Sequence, residues 1–274
     1  IGSGPVENNG TLVWNRSTDL TFNAVISGSG SVVKTGSGLL RLGATNTYFG
    51  TMTVSNGTLI VNGQDFALSY DVYGGTLGGT GTVFSPVNLQ AGTTLAPGDG
   101  GVGTMTFFGD LTIGGNLAVD INKSLAQSND FVSASATLQK TGSGTLTVAN
   151  LGPALTVGDK FTLFSQPVSG GSGFTVTGAG ATWQNDLETD GSITVLTVAP
   201  PAGPTNITYS VSGNQLTLNW PASHVGWILQ AQTNAAAVGI TTNWVDVAGS
   251  GATNQAVITV NPANPTVFFR LRSP

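Results

Sequence analysis

The chain has 274 residues and a net charge of −5, with only eight basic side chains, too few for a groove that neutralises nucleic-acid phosphates or a face that grips a membrane surface. It has no cysteine, which removes disulfides, thiol nucleophiles and thiolate metal ligands together. Only 8% of residues are charged, against roughly 25% in ordinary globular chains, so polarity has to come from Thr, Ser, Asn and the 40 glycines, and very little helix is expected.

No apolar run approaches the roughly 18 residues of a membrane span. The first residues, Ile1-Gly2-Ser3-Gly4-Pro5, lack the charged and apolar regions of a signal peptide. The expectation is an exported chain after signal removal, or a piece of something longer.

Residues 1–9 precede the first convincing strand and form an N-terminal extension carrying Ile1 and Val6. From 10 to 198 the text is a succession of short period-two strands punctuated by glycine, such as Gly10-Thr11-Leu12-Val13-Trp14, Thr51-Met52-Thr53-Val54, Asp110-Leu111-Thr112-Ile113 and Ser192-Ile193-Thr194-Val195. Gly-Thr-Leu recurs at Gly10, Gly57, Gly75 and Gly144. Lys34-Thr35-Gly36-Ser37-Gly38 recurs as Lys140-Thr141-Gly142-Ser143-Gly144, and each copy runs into an alternating strand. Units that cannot bury their apolar face alone must stack on neighbours, so the repetition favours a parallel β-helix over a sandwich or barrel. Rungs of about twenty residues would make it roughly 40–45 Å long, with two open ends.

Residues 199–204, Ala-Pro-Pro-Ala-Gly-Pro, cannot sit in a β ladder and mark a linker. Six strand candidates come next within 205–274, at 207–211, 215–220, 227–232, 244–247, 256–260 and 267–271, and they read as a small antiparallel β-sandwich.

Two stretches carry family resemblances. The run from Ile26 through Lys34-Thr35-Gly36-Ser37-Gly38-Leu39-Leu40-Arg41-Leu42, with Thr51-Met52-Thr53-Val54 and Gly57-Thr58-Leu59, resembles the autotransporter-associated β-strand repeat. Gly74-Gly75-Thr76-Leu77-Gly78-Gly79-Thr80-Gly81 and Leu95-Ala96-Pro97-Gly98 resemble the segment that commonly succeeds that repeat. The resemblance implies a right-handed parallel β-helix displayed outside a Gram-negative-type cell. No stretch resembles the membrane-barrel translocator of such proteins. In the C-terminal part, Leu216-Thr217-Leu218-Asn219-Trp220-Pro221 and Val267-Phe268-Phe269-Arg270-Leu271 resemble the second and sixth strands of a fibronectin type III-like sandwich, and the seventh strand is not among these residues.

Candidate chemistry is sparse. His224 is the only histidine, in Pro221-Ala222-Ser223-His224-Val225-Gly226, and reads as an exposed loop residue. Ser31-Val32-Val33-Lys34 and Lys34-Thr35-Gly36 fit two penicillin-recognising signatures but overlap on one lysine in glycine-rich text that forms no helix, so chance is the better account. Asp19, Asp65, Asp71, Asp99, Asp110, Asp120, Asp130, Asp159, Asp186 and Asp190 mostly flank turns singly, which argues against an acid/base pair. Pro97-Gly98-Asp99-Gly100-Gly101 supplies one carboxylate where calcium needs several oxygens. No catalytic residue, cofactor or metal is assigned.

The expectation is therefore a non-catalytic extracellular structural protein of a bacterial surface or matrix. Its partner would be itself, as a head-to-tail homopolymer in which Ile1 and Val6 of one copy pair with an edge that carries Phe268, Phe269 and Leu271 of the next. The alternative is an adhesin or carbohydrate-binding stalk contacting extracellular polysaccharide through Trp227 and Trp244, and a polysaccharide-cleaving β-helix enzyme stands behind both.

Overall fold

Alternation sends every second side chain of a strand to the same side, and stacking in register turns the alternation into columns. In the computed structural model, which describes residues 4–199 and 205–273, Leu39–Leu42 pairs in parallel with Leu20–Phe22 on one side and Thr58–Val61 on the other. The ladder continues until Leu20, Leu40, Leu59, Leu77, Leu95, Leu117, Leu146 and Val176 form one column in an eight-stranded sheet. From Leu40 to Leu146 the column is buried.

A seven-stranded parallel sheet, from Thr11–Trp14 to Leu138–Lys140, carries a matching inner column of Leu12, Val32, Met52, Tyr70, Val87, Leu111 and Leu138. A four-stranded parallel sheet runs from Gln64–Asp65 to Phe131–Ala134. Three parallel sheets visited in turn by successive coils of one chain are a parallel β-helix, as the repeats predict. It lies within the first of two compact units, Ile1–Val198, and a short helix, Leu187–Asp190, is that unit's one α-helical element among the described residues.

Rung length is less uniform than the repeats suggest. Column partners in the seven-stranded sheet are 20, 20, 18 and 17 residues apart as far as Val87, then 24 and 27. The later rungs are swollen by the loop after Pro97 and by a hairpin closed at Ile121 and Asn129. Eight strands at about 4.8 Å therefore span only about 34 Å, shorter than twenty-residue rungs would give.

The C-terminal end is not open, contrary to expectation. Phe164 and Ser169 bridge in parallel to Val132 and Gln139, and Phe174–Gly178 completes the eight-stranded sheet. The chain then turns antiparallel, with Ser192–Val198 paired to Lys160–Thr162 and Ala181–Asp186. Phe161, Trp183, Leu187, Ile193 and Val195 from this closing segment join the same buried cluster as the leucine column. At the other end Val6–Glu7 pairs with Ile26–Ser27.

The repeated lysine motif has a structural meaning that the sequence did not disclose. Lys34 and Lys140 occupy one inward column, Trp14, Lys34, Val54, Val72, Leu89, Ile113, Lys140, so the two copies mark the same corner five rungs apart. Both lysines are buried, at 2% and 5% exposure, and burial lowers both ammonium pKa values. Their protons go to turn carbonyls. Lys34 Nζ donates to Gly36 and to Asn56 (3.1 Å), and Lys140 Nζ to Thr141 (2.7 Å), Gly142, Ser143 and Gly114. Gly57 shows the tightness of the corner: its φ is +72°, and a Cβ there would lie 2.6 Å from Lys34 Nζ.

The second unit, Ala199–Pro274, consists of two three-stranded antiparallel sheets. Gln215–Asn219 lies between Thr208–Ser212 and Gln255–Thr259, and Ile228–Thr233 lies between Val245–Asp246 and Val267–Arg272. The sheets share a small core of Leu218, Trp220 and Leu229, with Leu216, Phe269 and Leu271 packed on it. The proline-rich residues 200–204 lie outside the described residues.

Candidate functional site

The outer face of the eight-stranded sheet carries a broad groove in which charged groups converge. Within the groove the outward column runs from Arg41 through Ile60, Gly78 and Ala96; one residue past the Leu95–Leu117 pair it resumes at Ala118 and reaches Thr147. Large side chains at the start and small ones in the middle make a trough, and Thr58, Thr76 and Thr94 form a parallel hydroxyl column beside it. The hollow holds about 420 Å³.

One wall is the loop after Thr94–Pro97. Gly79 and Gly98 form an antiparallel bridge, each N–H donating to the other's carbonyl at 3.0 and 2.9 Å, and this turns the chain out over the sheet. Gly98 has φ +93° there, a conformation that glycine alone adopts without strain. The loop delivers Asp99 to Arg41. Arg41 donates twice, Nε to Oδ2 and Nη2 to Oδ1, both at 2.6 Å, and Asn62 Nδ2 adds a third bond at 2.8 Å. The guanidinium holds the Asp99 carboxyl below the usual carboxylate range, and the aspartate raises Arg41 in return.

Two further carboxylates meet at the other side. Asp130 is 2% exposed; Oδ1 accepts from Gly103 N (2.8 Å) and Oδ2 from Asp120 N (2.7 Å), while Asp130 N donates to Asp120 O (2.8 Å). Burial pushes the Asp130 carboxyl up to about 7, the two N–H groups oppose that rise, and the Asp120 charge adds to it. Burial also raises Asp120. The expectation that the aspartates stand singly is thus corrected at this pair. The hairpin closed by the Ile121–Asn129 bridge folds residue 130 back beside residue 120, a contact set by an insertion's path rather than by strand periodicity.

Chemically the groove offers carboxylate acceptors, threonine hydroxyls and a floor small enough for a flat ring. Arg41 is neutralised by Asp99, and Asp130 is tied down by two backbone donors, which suits a structural clamp. Among the described residues no group of three or more His, Asp or Glu side chains is placed to hold a metal ion.

A second buried carboxylate lies inside the helix. Asp65 is fully buried and accepts from Ala67 N (3.1 Å) and Asn46 Nδ2 (3.2 Å). Burial pushes it up to about 6. The buried hydroxyls of Tyr48 and Tyr70 lie beside it, close enough to temper that rise but outside ordinary hydrogen-bond geometry. Outside this sheet, Phe66, Phe84 and Phe108 stack at 4.2 and 4.9 Å with planes within 8°.

The residues singled out for glycan contact do not form a platform. Trp227 is 6% exposed, with its ring edge-on to His224 at 4.9 Å, and Trp244 is half-buried with the Arg270 guanidinium 4.3 Å over its face. Burial takes up the Trp227 ring, and the Arg270 guanidinium covers a face of Trp244. His224 is likewise buried rather than exposed, in the short 3₁₀ turn Ala222–His224. Of the assembly residues, Ile1 lies outside the described residues, and Val6 is paired within its own chain and packed on its own core. Phe268, Phe269 and Leu271 sit together on Val267–Arg272, an outer strand of its sheet.

Comparison with known proteins agrees with the first unit. Residues 32–61 match the Passenger-associated-transport-repeat family, a span that holds Lys34, both flanking strands and the Gly57 corner. The chain is 42% identical over 85 residues to the Adhesin BmaC autotransporter of Brucella suis biovar 1 (strain 1330), covering 30% of this chain and 2% of that protein. It is 38% identical over 109 residues to the Extracellular serine protease of Serratia marcescens, covering 38% of this chain and 10% of that protein. The chain thus spans a small part of either relative, and the matches establish an autotransporter-associated repeat at residues 32–61, built into the early rungs of a β-helix.

Proposed function

We propose that this chain is a non-catalytic, exported β-helical segment displayed at a bacterial cell surface, and that it acts adhesively by holding a carbohydrate polymer along the groove of the eight-stranded sheet. The passenger-type repeat and the likeness to an autotransporter adhesin support the location and the class. The observation that carries the ligand is the groove: about 420 Å³, small side chains along its floor, a hydroxyl column beside it and carboxylates at its walls. Sugar rings present hydroxyl donors to such acceptors and an apolar face to such a floor. Polymerisation plays no part in this reading.

Affinity electrophoresis against a panel of neutral and uronic polysaccharides tests it, with Ala118→Trp filling the trough from an outward position. Retardation by at least one polymer, lost in Ala118→Trp, is the expected result. Equal retardation of both proteins moves the ligand off the groove, and no retardation by any polymer sinks the adhesive reading.

A further inference from the structure

An asparagine before glycine is prone to lose its side-chain amide, because glycine has no Cβ to hinder the approach of its own nitrogen to the preceding side chain. The chain holds three such pairs, Asn9-Gly10, Asn56-Gly57 and Asn62-Gly63, and the fold treats them differently. Asn9 is held from both ends: Nδ2 donates to Glu7 Oε1 (3.0 Å), Oδ1 accepts from Ser29 N (3.1 Å), and Gly10 N turns away to Asn8 Oδ1 (3.2 Å). Asn62 donates to Asp99 Oδ2 (2.8 Å) and accepts from Thr80 N (3.1 Å), and Gly63 N is committed to Leu42 O (3.2 Å). Asn56 differs. It is exposed, and among the described residues its side chain bonds only to Gly57 N, which donates to Oδ1 at 2.8 Å. A nitrogen bonded to Oδ1 lies beside Cγ, so nucleophile and electrophile stand together. The flanks are fixed, with Ser55 N on Lys34 O (2.8 Å) and Thr76 N on Gly57 O (2.9 Å).

We infer that Asn56 is a self-modification site, at which the turn geometry of the β-helix promotes loss of the side-chain amide. Gly57 N gives up its proton and attacks Asn56 Cγ. The bond from Cγ to Nδ2 breaks, and ammonia leaves carrying that proton. A five-membered imide remains. Water adds to one of its two carbonyls and breaks that carbon's bond to Gly57 N, which takes a proton from the water. Nothing is oxidised or reduced, and the products are aspartate or isoaspartate. In isoaspartate the main chain runs through Cβ and gains an atom, while the former Asn56 carbonyl, an acceptor for Lys34 Nζ at 3.1 Å, becomes a free carboxylate. The corner has no slack for this: a Cβ on Gly57 would lie 2.4 Å from Gly36 O, and one on Gly75 would lie 2.1 Å from Gly57 O. Conversion therefore loosens the lysine corner of the matched repeat, and it needs no ligand in the groove.

The test is to age the folded 274-residue chain at mildly alkaline pH and to map its peptides by mass spectrometry. Asn56 is expected to convert about tenfold or more faster than Asn9 or Asn62, as near-attack geometry would give, with solvent oxygen incorporated from labelled water. In urea the three sites should converge. Asn56→Gln keeps an amide but needs a larger ring to close, so at this exposed position it should neither convert nor disturb the fold. The aged parent should show a lowered β-helix melting transition, and aged Asn56→Gln should not. Equal rates at the three sites in the folded chain overturn the inference, as does a preference for Asn56 that survives in urea. An aged parent that melts as the fresh one does overturns the loosening of the corner.

Discussion

The two units bury apolar side chains in different ways. In the β-helix each leucine of the column from Leu40 to Leu117 has another above and below it, so the core grows with every rung and no single rung has to be large. The C-terminal unit rests on Leu218, Trp220 and Leu229, and Tyr209 and Val211 of its inner face stand open. Repetition supplies burial independently of sheet size, whereas two three-stranded sheets sit near the lower limit at which a core is self-sufficient.

The largest effects should come from cutting each core at its centre. Leu77 and Leu229 are both fully buried, and either Leu→Ala change removes about 2–5 kcal/mol through lost transfer energy and a residual cavity. In the small unit such a loss is comparable with the whole stability, so Leu229→Ala should abolish its unfolding transition and leave the β-helix transition in place. Leu77→Ala should lower the β-helix transition without removing it. Calorimetry of both variants decides the matter; a single transition displaced by either mutation would mean that the units are not separate.

Next in size is a pH dependence confined to the β-helix. Asp65 and Asp130 have folded values of about 6 and about 7, above the 3.8 of a free aspartate. A raised carboxyl pKa favours the neutral form in the fold, so the stabilisation is complete below about pH 4 and is lost as pH rises through the folded values. For Asp65 the gap corresponds to about 3 kcal/mol, and Asp130 acts in the same direction. Urea midpoints of the β-helix should fall between about pH 4 and pH 7, and Asp65→Asn and Asp130→Asn should each flatten that slope. In the other unit Asp246 is shifted downward, chiefly by its hydrogen bond from Gln230, so no such fall is expected there. Parallel slopes in wild type and both variants would remove these carboxyls as the cause.

Legibility in the sequence divides along the same line. Period-two alternation and glycine corners are local, so the β-helix, its strands and the repeated corner were legible from residues alone. The direction of Lys34 was present too, since it shares a strand face with buried Val32, but lysine is so commonly exposed that the pattern carried no weight against its charge. The meeting of Asp120 with Asp130, the arch that brings Asp99 to Arg41 and the antiparallel closure after residue 160 depend on how insertions cross rungs. No local period encodes them. In the small unit His224 reads as an exposed loop residue but is buried edge-on to Trp227, a contact that no strand period announces.

A smaller effect separates the charge of the repeat lysine from its stem. Val54, Val72 and Leu89 occupy the same column as Lys34, so methionine fits the site as an apolar residue would. Lys34→Met leaves the Gly36 and Asn56 carbonyls without their donor, and a cost of about 2 kcal/mol is expected from unpaired buried acceptors. A variant as stable as the parent would show that desolvation of the buried ammonium cancels its hydrogen bonds, and that the lysine serves something other than stability.

The smallest effect tests the groove wall. Arg41 and Asp99 are partly exposed, with side chains 32% and 19% accessible, so their bidentate pair should contribute only about 1 kcal/mol. Asp99→Asn keeps the shape and removes the charge, and the β-helix transition should scarcely move. Its consequence should be local: without the ion pair the arch is held by the Gly79–Gly98 bridge and by Asp130 on Gly103 N, so amides of residues 99–102 should exchange with solvent faster while those of the leucine column do not. If the arch is part of the binding wall, polysaccharide retardation weakens in the same variant. Unchanged exchange across the loop would show that the glycine bridge alone sets its position and that Arg41 and Asp99 are free to serve a ligand.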